Sequence, residues 1–324
     1  MTSGTAEAAP AVRLEGTVPA NILPFDEDLA IDEPAYRKHL DSLVSVPGVR
    51  GVTCNGHAGE VASLDRDERR RAVGVAAETV AGRVPLVSGI YAENRIKAAA
   101  LARDAEAEGA DALLVMPPNA LMFGGTPETA LEQFLGIADT TSLPLVAFLY
   151  PQWTGLQYDM DTLLRICEIP TVVAVKEWSL DIRVHERAYE AIHTLERPVS
   201  LLSSFSTQLL PALVSGADGI LSGHGSVIAG LQAQLFGAVA RGTLGDARDL
   251  YRRIQRLTSV VYRAPMLNMY ARMKEQLAML GHPLTPAVRP PPHRVGDRER
   301  AELRRALVRA GLLDRTAPGQ EMTP

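Results

Sequence analysis

Short apolar runs of strand length alternate with amphipathic helical stretches about eight times along this chain, and no other feature limits its fold as strongly. The strand candidates are residues 17–22, 49–53, 84–87, 112–115, 145–149, 172–175, 199–202 and 219–221. Helical patterns lie between them at 33–44, 65–81, 92–108, 127–140, 159–168, 181–195, 207–215 and 227–240. Asp65 with Glu68 three residues on is a capping arrangement, and Gly82 supplies the stop. Gly109-Ala110-Asp111 and Gly216-Ala217-Asp218 repeat one helix-to-strand turn, with glycine as the left-handed cap. Unbroken strand–helix alternation implies a parallel sheet with helical crossovers, and eight such units match a closed (β/α)8 TIM barrel. A doubly wound open sheet is the alternative, but no Gly-x-Gly-x-x-Gly follows the first strand to favour a dinucleotide. The expected division is a disordered leader at 1–15, the barrel at 16–242, a C-terminal helical subdomain at 243–313 and a disordered tail at 314–324. In the subdomain the middle helix starts near Pro265, and Pro290-Pro291-Pro292 separates it from a last helix at 297–311.

Composition removes several classes of function. The 324 residues carry a net charge of −5, which gives no basic patch for nucleic acid or an anionic membrane. No apolar run reaches the roughly 20 residues that span a bilayer, and the Ala-rich start lacks the basic and apolar segments of a signal peptide. Two cysteines, Cys54 and Cys167, are too few for a disulfide framework and read as buried small hydrophobes, so a reducing cytoplasm is expected. Without a His-x-His or Cys-x-x-Cys pair, no built-in transition metal is expected.

A barrel of this kind places its chemistry at the carboxyl ends of its strands. Those ends form a polar, Gly-rich ring, and one of them carries Lys176 directly after the apolar run Val172-Val173-Ala174-Val175. Burial disfavours an ammonium, so a lysine there is partly neutral and able to attack a carbonyl to form a Schiff base. The competing reading is a lysine that snorkels from the strand end and pairs with Glu177.

These residues also fall into an order that resembles the dihydrodipicolinate synthase / N-acetylneuraminate lyase superfamily of class I aldolases and dehydratases. The resemblance covers roughly residues 16–313. It is carried by Leu23-Pro24-Phe25, Gly56-His57-Ala58-Gly59-Glu60, Gly109-Ala110-Asp111, Pro117, Pro151-x-x-Thr154-Gly155, Val175-Lys176-Glu177 and Gly219-Ile220-Leu221-Ser222-Gly223. It implies a barrel with C-terminal helices, a homodimer or homotetramer, and a lysine that forms an imine with a 2-keto acid, generally pyruvate, without a cofactor. The departures are as informative. Between the glycines of the second motif the family has two hydroxyl or amide residues that hold the carboxylate; this chain has His57 and Ala58. Where the family carries a relay tyrosine, ungapped counting places Phe148, with Tyr150 two residues on in the same strand phase; a short gap would place Tyr150 there instead. Pro117-Pro118-Asn119 contains no tyrosine for a neighbouring subunit, and Trp153 aligns with the arginine that meets the second substrate. The altered positions argue against the lysine-biosynthetic synthase reaction itself.

The expected roles follow. Lys176 is the nucleophile, Tyr150 the proton shuttle, and His57 an acid/base group or a replacement grip for the carboxylate. Gly56, Ala58, Asn55, Asn119, Phe148, Trp153, Ser222, Gly223 and His224 are the substrate-binding candidates, with His224 equally readable as part of a turn. Glu60 is expected to stabilise its loop, and Trp178 to line a lid with Trp153 or to pack between helices. The expected activity is aldol cleavage or addition, or dehydration, of a 2-keto acid. The alternatives are a lysine-imine hydratase or decarboxylase acting on a non-pyruvate carbonyl compound, such as an aldehyde, and a keto-acid-binding protein without turnover.

Overall fold

The computed structural model describes residues 12–204 and 207–314, so most of the leader and tail expected from sequence lies outside the described residues. Eight strands run Gly16–Pro19 (β1), Val52–Cys54 (β2), Leu86–Ile90 (β3), Ala112–Val115 (β4), Leu145–Leu149 (β5), Val172–Glu177 (β6), Ser200–Ser203 (β7) and Gly219–Ser222 (β8). Between and after them lie Glu33–Val44 (α1), Arg66–Val80 (α2), Arg95–Ala107 (α3), Pro127–Ala138 (α4), Met160–Cys167 (α5), Ile182–Ile192 (α6), Leu209–Val214 (α7) and Gly225–Ala240 (α8). Every strand pair is parallel, in the order β1-β8-β7-β6-β5-β4-β3-β2, and bridges Thr17–Val49 and Ala20–Thr53 bring the first strand against the second. The closed (β/α)8 reading therefore stands. Three further helices, Leu244–Val261 (α9), Met269–Met279 (α10) and Asp297–Arg309 (α11), follow the barrel.

Local chemistry explains the boundaries. Asp65 and Glu68 form the reciprocal capping box at the start of α2, and Ala81 and Gly82 end it with positive φ of 50° and 69°. The repeated Gly-Ala-Asp turns do more than reverse the chain. Asp111 accepts a hydrogen bond from Leu86 N, and Asp218 from Leu201 N, both at 2.8 Å. Each carboxylate thus satisfies an amide at the start of the neighbouring strand, the first of β3 and the second of β7, and sets its register.

Strand alternation sorts the apolar residues into two shells. Val52, Cys54, Leu86, Leu113, Val115, Leu145, Leu149 and Val175 face the helices. Val18, Val87, Leu114, Val146, Ala174, Leu202 and Leu221 fill the barrel interior, and buried Leu14 belongs to the same inner cluster. Above them, toward the carboxyl ends, stand Phe148, Tyr150 and Lys176.

A buried ion pair fixes the C-terminal helices to the barrel. Lys274 on α10, fully buried, donates to Glu60 Oε1 at 2.5 Å and to Ala287 O at 2.8 Å, with the ring of Phe25 4.2 Å from its ammonium. The other oxygen of Glu60 accepts from Arg289 N at 3.0 Å. Removing one member of such a pair strands the other charge in the interior. Lys274→Met is expected to lower stability by about 3–5 kcal/mol, seen as a drop in the urea midpoint. Lys97→Met, which breaks the exposed pair with Glu93, should leave the midpoint in place.

Candidate active site

Lys176 lies on the inner face of β6, beside Phe148 of β5. It is only 4% exposed, and its ammonium sits 4.1 Å from the centre of the Phe148 ring. Burial alone pushes its pKa down to about 7. The snorkelling alternative fails, because Glu177 points the other way: it accepts from Ser179 N at 2.6 Å and lies 3.2 Å from His185 Nδ1. A half-neutral, desolvated amine at a strand end is therefore what this barrel presents at neutral pH.

The second group comes from the turn after β2. Asn55 adopts a left-handed φ of 50°, and its carbonyl folds over β3 so closely that a Cβ on Gly89 would fall 2.0 Å from it. Only glycine at 89 admits this approach. The turn then runs through Gly56 into the short 3₁₀ segment His57–Gly59, ended by Glu60, again left-handed at φ 56°. This geometry aims His57 across the mouth, where its Nε2 is hydrogen-bonded to the Tyr150 hydroxyl. Burial, then the neighbouring Lys176 ammonium, pushes the His57 pKa down to about 4, so the imidazole is neutral, and in its Nδ1-protonated tautomer Nε2 accepts the hydroxyl proton. Burial, with the phenols of Tyr158, Tyr91 and Tyr270 nearby, holds the Tyr150 hydroxyl well above its usual range. The result is an amine, a neutral phenol and a neutral imidazole in one apolar mouth. Proton exchange between phenol and imidazole needs no change in net charge there.

The remaining candidates divide. Phe148, Ala58 and Gly223 face the mouth; a Cβ on Gly223 would lie 3.4 Å from Ala58 Cβ and 3.6 Å from the Tyr262 hydroxyl. Asn119 opens the 3₁₀ segment at the rim after β4, partly buried. Trp153 stands on the rim after β5, 69% exposed.

Three expectations are corrected. Asn55 directs its side-chain amide outward to Arg69 O at 2.9 Å, where it holds α2. Ser222, also on the outer face of its strand, accepts from Gln232 Nε2 at 3.2 Å. His224 is wholly buried, with Nε2 3.1 Å from Gln276 Oε1 and Nδ1 3.5 Å from the Thr258 hydroxyl, so it joins α8 to α9 and α10 rather than to a ligand. Sequence reasoning also missed Tyr262 and Tyr270, which reach the mouth from the C-terminal helices. Their positions lie outside every strand end, so no spacing along the barrel pointed to them.

The sequence profile described as the Dihydrodipicolinate synthetase family matches residues 13–310. A 4-hydroxy-tetrahydrodipicolinate synthase of Methanothrix thermoacetophila is 30% identical over 299 residues, covering 91% of this chain and 96% of that protein. An uncharacterised DapA-like lyase of Halobacterium salinarum is 29% identical over 300 residues, covering 93% and 95%. Among solved structures, YagE, a prophage protein of E. coli K12 crystallised with pyruvate, superposes with a TM-score of 0.85 over 92% of this chain and 99% of that one; at 22% identity this establishes the shared fold. From the matched profile and these relatives together, the chain belongs to the dihydrodipicolinate synthetase family.

Proposed function

We propose that the protein is a class I lyase in which Lys176 forms an imine with a 2-keto acid of the pyruvate type and then makes or breaks a bond next to the imine. The observation that carries this reading is the buried amine of Lys176, without an ion-pair partner among the described residues and with its pKa near 7, beside the hydrogen-bonded Tyr150 and His57. The neutral amine adds to the keto carbon, and the carbinolamine oxygen leaves as water after taking a proton from Tyr150. The iminium then draws electrons from the adjacent carbon, whose proton passes to the Tyr150 oxygen, restoring the phenol and leaving an enamine. His57 behind Tyr150 holds the shuttled proton through these steps.

The keto acid's carboxylate is left to the backbone N–H groups of His57 and Ala58, because Ala58 brings no hydroxyl and Gly59 N is already bonded to Gly56 O. That same substitution supports a second reading, an imine hydratase or decarboxylase whose carbonyl substrate lacks the carboxylate. The proposed working form is a homodimer or homotetramer, as the family resemblance implies. Among the described residues no helix is long and apolar enough to cross a membrane, and Cys54 and Cys167 are both buried and unpaired, which suits a reducing cytoplasm.

Borohydride trapping with pyruvate, read by peptide mass spectrometry, tests the reading. A reduced pyruvyl adduct is expected on the Lys176 peptide and on no other, and Lys176→Ala should abolish it; a carboxylate-free ketone that traps where pyruvate does not would favour the second reading. The trapping rate should rise as pH increases through about 7, where the amine loses its proton, and fall roughly tenfold per unit below that point. Tyr150→Phe should keep the adduct on Lys176 while slowing its formation by about 10²–10⁴-fold.

The buried amine also carries a stability cost with a definite sign. The unfolded chain binds a proton at Lys176 up to about pH 10.4, whereas the folded chain releases it near 7. Burial therefore destabilises the fold increasingly as pH falls from about 10.4 to 7. Lys176→Met should be inactive yet more stable at pH 7 by on the order of 2–4 kcal/mol. That advantage should shrink as the pH of the denaturation experiment is raised toward 10.

A further inference from the structure

We infer that the carbonyl compound joined to, or released from, the keto acid is an uncharged aromatic aldehyde, and that Trp178 selects it. This rests on the Schiff-base reading of Lys176.

Trp178 follows Lys176 by two residues on the same inner face of the chain. It stands directly above the amine, toward the mouth. Its ring centre is 5.7 Å from that of Tyr150 and 6.0 Å from that of Phe148, while across the mouth the His57 ring is 5.9 Å from Tyr91. Phe148 and Tyr150 are buried, but Trp178, Tyr91 and His57 remain partly exposed. Their faces and edges therefore wall the space that the second carbonyl compound must enter. Rings pack on such walls in offset or edge-to-face geometry, with a gain beyond simple burial.

Charge points the same way. Three cations described at this end of the barrel are engaged. Arg69 donates to Tyr91 O at 2.8 Å and to Leu64 O at 3.2 Å. Lys274 is held by Glu60, and Arg183 by both oxygens of Asp181. A carboxylate or phosphate on the second compound would be desolvated without a counter-ion, which is costly. A polyhydroxy aldehyde is disfavoured for a related reason. Asn55 and Ser222 turn outward and the Tyr150 hydroxyl already has His57 as a partner, so sugar hydroxyls would give up more bonds to water than these side chains return.

In the synthetic direction the enamine carbon of Lys176-bound pyruvate forms a bond to the aldehyde carbon. The carbonyl π electrons move to its oxygen, which takes a proton from Tyr150. Water then hydrolyses the iminium, freeing the lysine and a 4-aryl-4-hydroxy-2-oxobutanoate. Cleavage is the reverse.

The test uses the full-length protein with pyruvate and, separately, benzaldehyde, glyceraldehyde and succinic semialdehyde, with products quantified by mass spectrometry and borohydride trapping run alongside. The expected result is a kcat/KM for benzaldehyde at least about 100-fold above the other two. Trp178→Ala should reduce that ratio by roughly tenfold, and Trp178→Phe should restore most of it. A trapped pyruvyl adduct accompanied by preference for the charged or polyhydroxy aldehyde, or by no product from benzaldehyde, overturns this inference while leaving the imine chemistry intact. Equal losses for all three aldehydes in Trp178→Ala, unrelieved by Trp178→Phe, overturn the role of Trp178. No adduct with pyruvate overturns the imine reading and this inference with it.

Discussion

The buried pair between Glu60 and Lys274 holds this structure in its working shape. Glu60 ends the turn that carries His57, in a left-handed conformation that few non-glycine residues adopt. Lys274 comes from the helices beyond the barrel. Their union, with Arg289 N on the second carboxylate oxygen, presses the C-terminal helices onto the barrel mouth and fixes the turn that aims the imidazole. Without that clamp, Tyr262 and Tyr270 would have no reason to stand over the carboxyl ends of the strands. Comparison of the two buried lysines shows what a counter-ion does. Burial lowers both, but the Glu60 carboxylate opposes the drop at Lys274, held at about 8, whereas Lys176 has nothing to oppose it and falls to about 7. One lysine is kept charged for structure, and the other is released for chemistry.

The fold was legible because its signals are local and repeated. Apolar runs, Gly-Ala-Asp turns and a capping box each report on fewer than about ten residues, and the barrel follows from their alternation. Strand edges shifted by a few residues where the pattern could not show pairing. The third strand was expected at 84–87 and runs Leu86–Ile90, since its first ladder bond is set by Asp111, distant in sequence. Lys176 was legible for the same local reason, an ammonium at the end of an apolar strand.

The rest of the site was less legible because side-chain direction depends on strand phase and on distant partners. Asn55 and Ser222 sit at strand ends, as active-site residues of barrels do, but on the outward phase. His224 lies between glycines that suggest ligand approach, yet its partners are Gln276 and Thr258, contributed by helices that no barrel motif predicts. Tyr262 and Tyr270 were invisible for the converse reason: they belong to the mouth only through the packing of the C-terminal helices. Trp178 was seen as a rim residue, but its stacking on Tyr150 and Phe148 needed the register of β5 against β6.

That register also ties the groups of the mouth to one another. Phe148 pairs directly with Lys176, so an aromatic ring without a hydroxyl now lies against the amine and keeps water from it. The only hydroxyl on the inner face of β5's continuation is two residues further on, at Tyr150, displaced by roughly 6–7 Å along the strand direction. The His57 imidazole, reaching from the turn after β2, meets the Tyr150 hydroxyl there. Phe148, Tyr150 and His57 therefore form one geometric unit. The phenol stands toward the mouth, bonded to that turn, and phenylalanine at 148 leaves the lysine drier than a tyrosine beside it would.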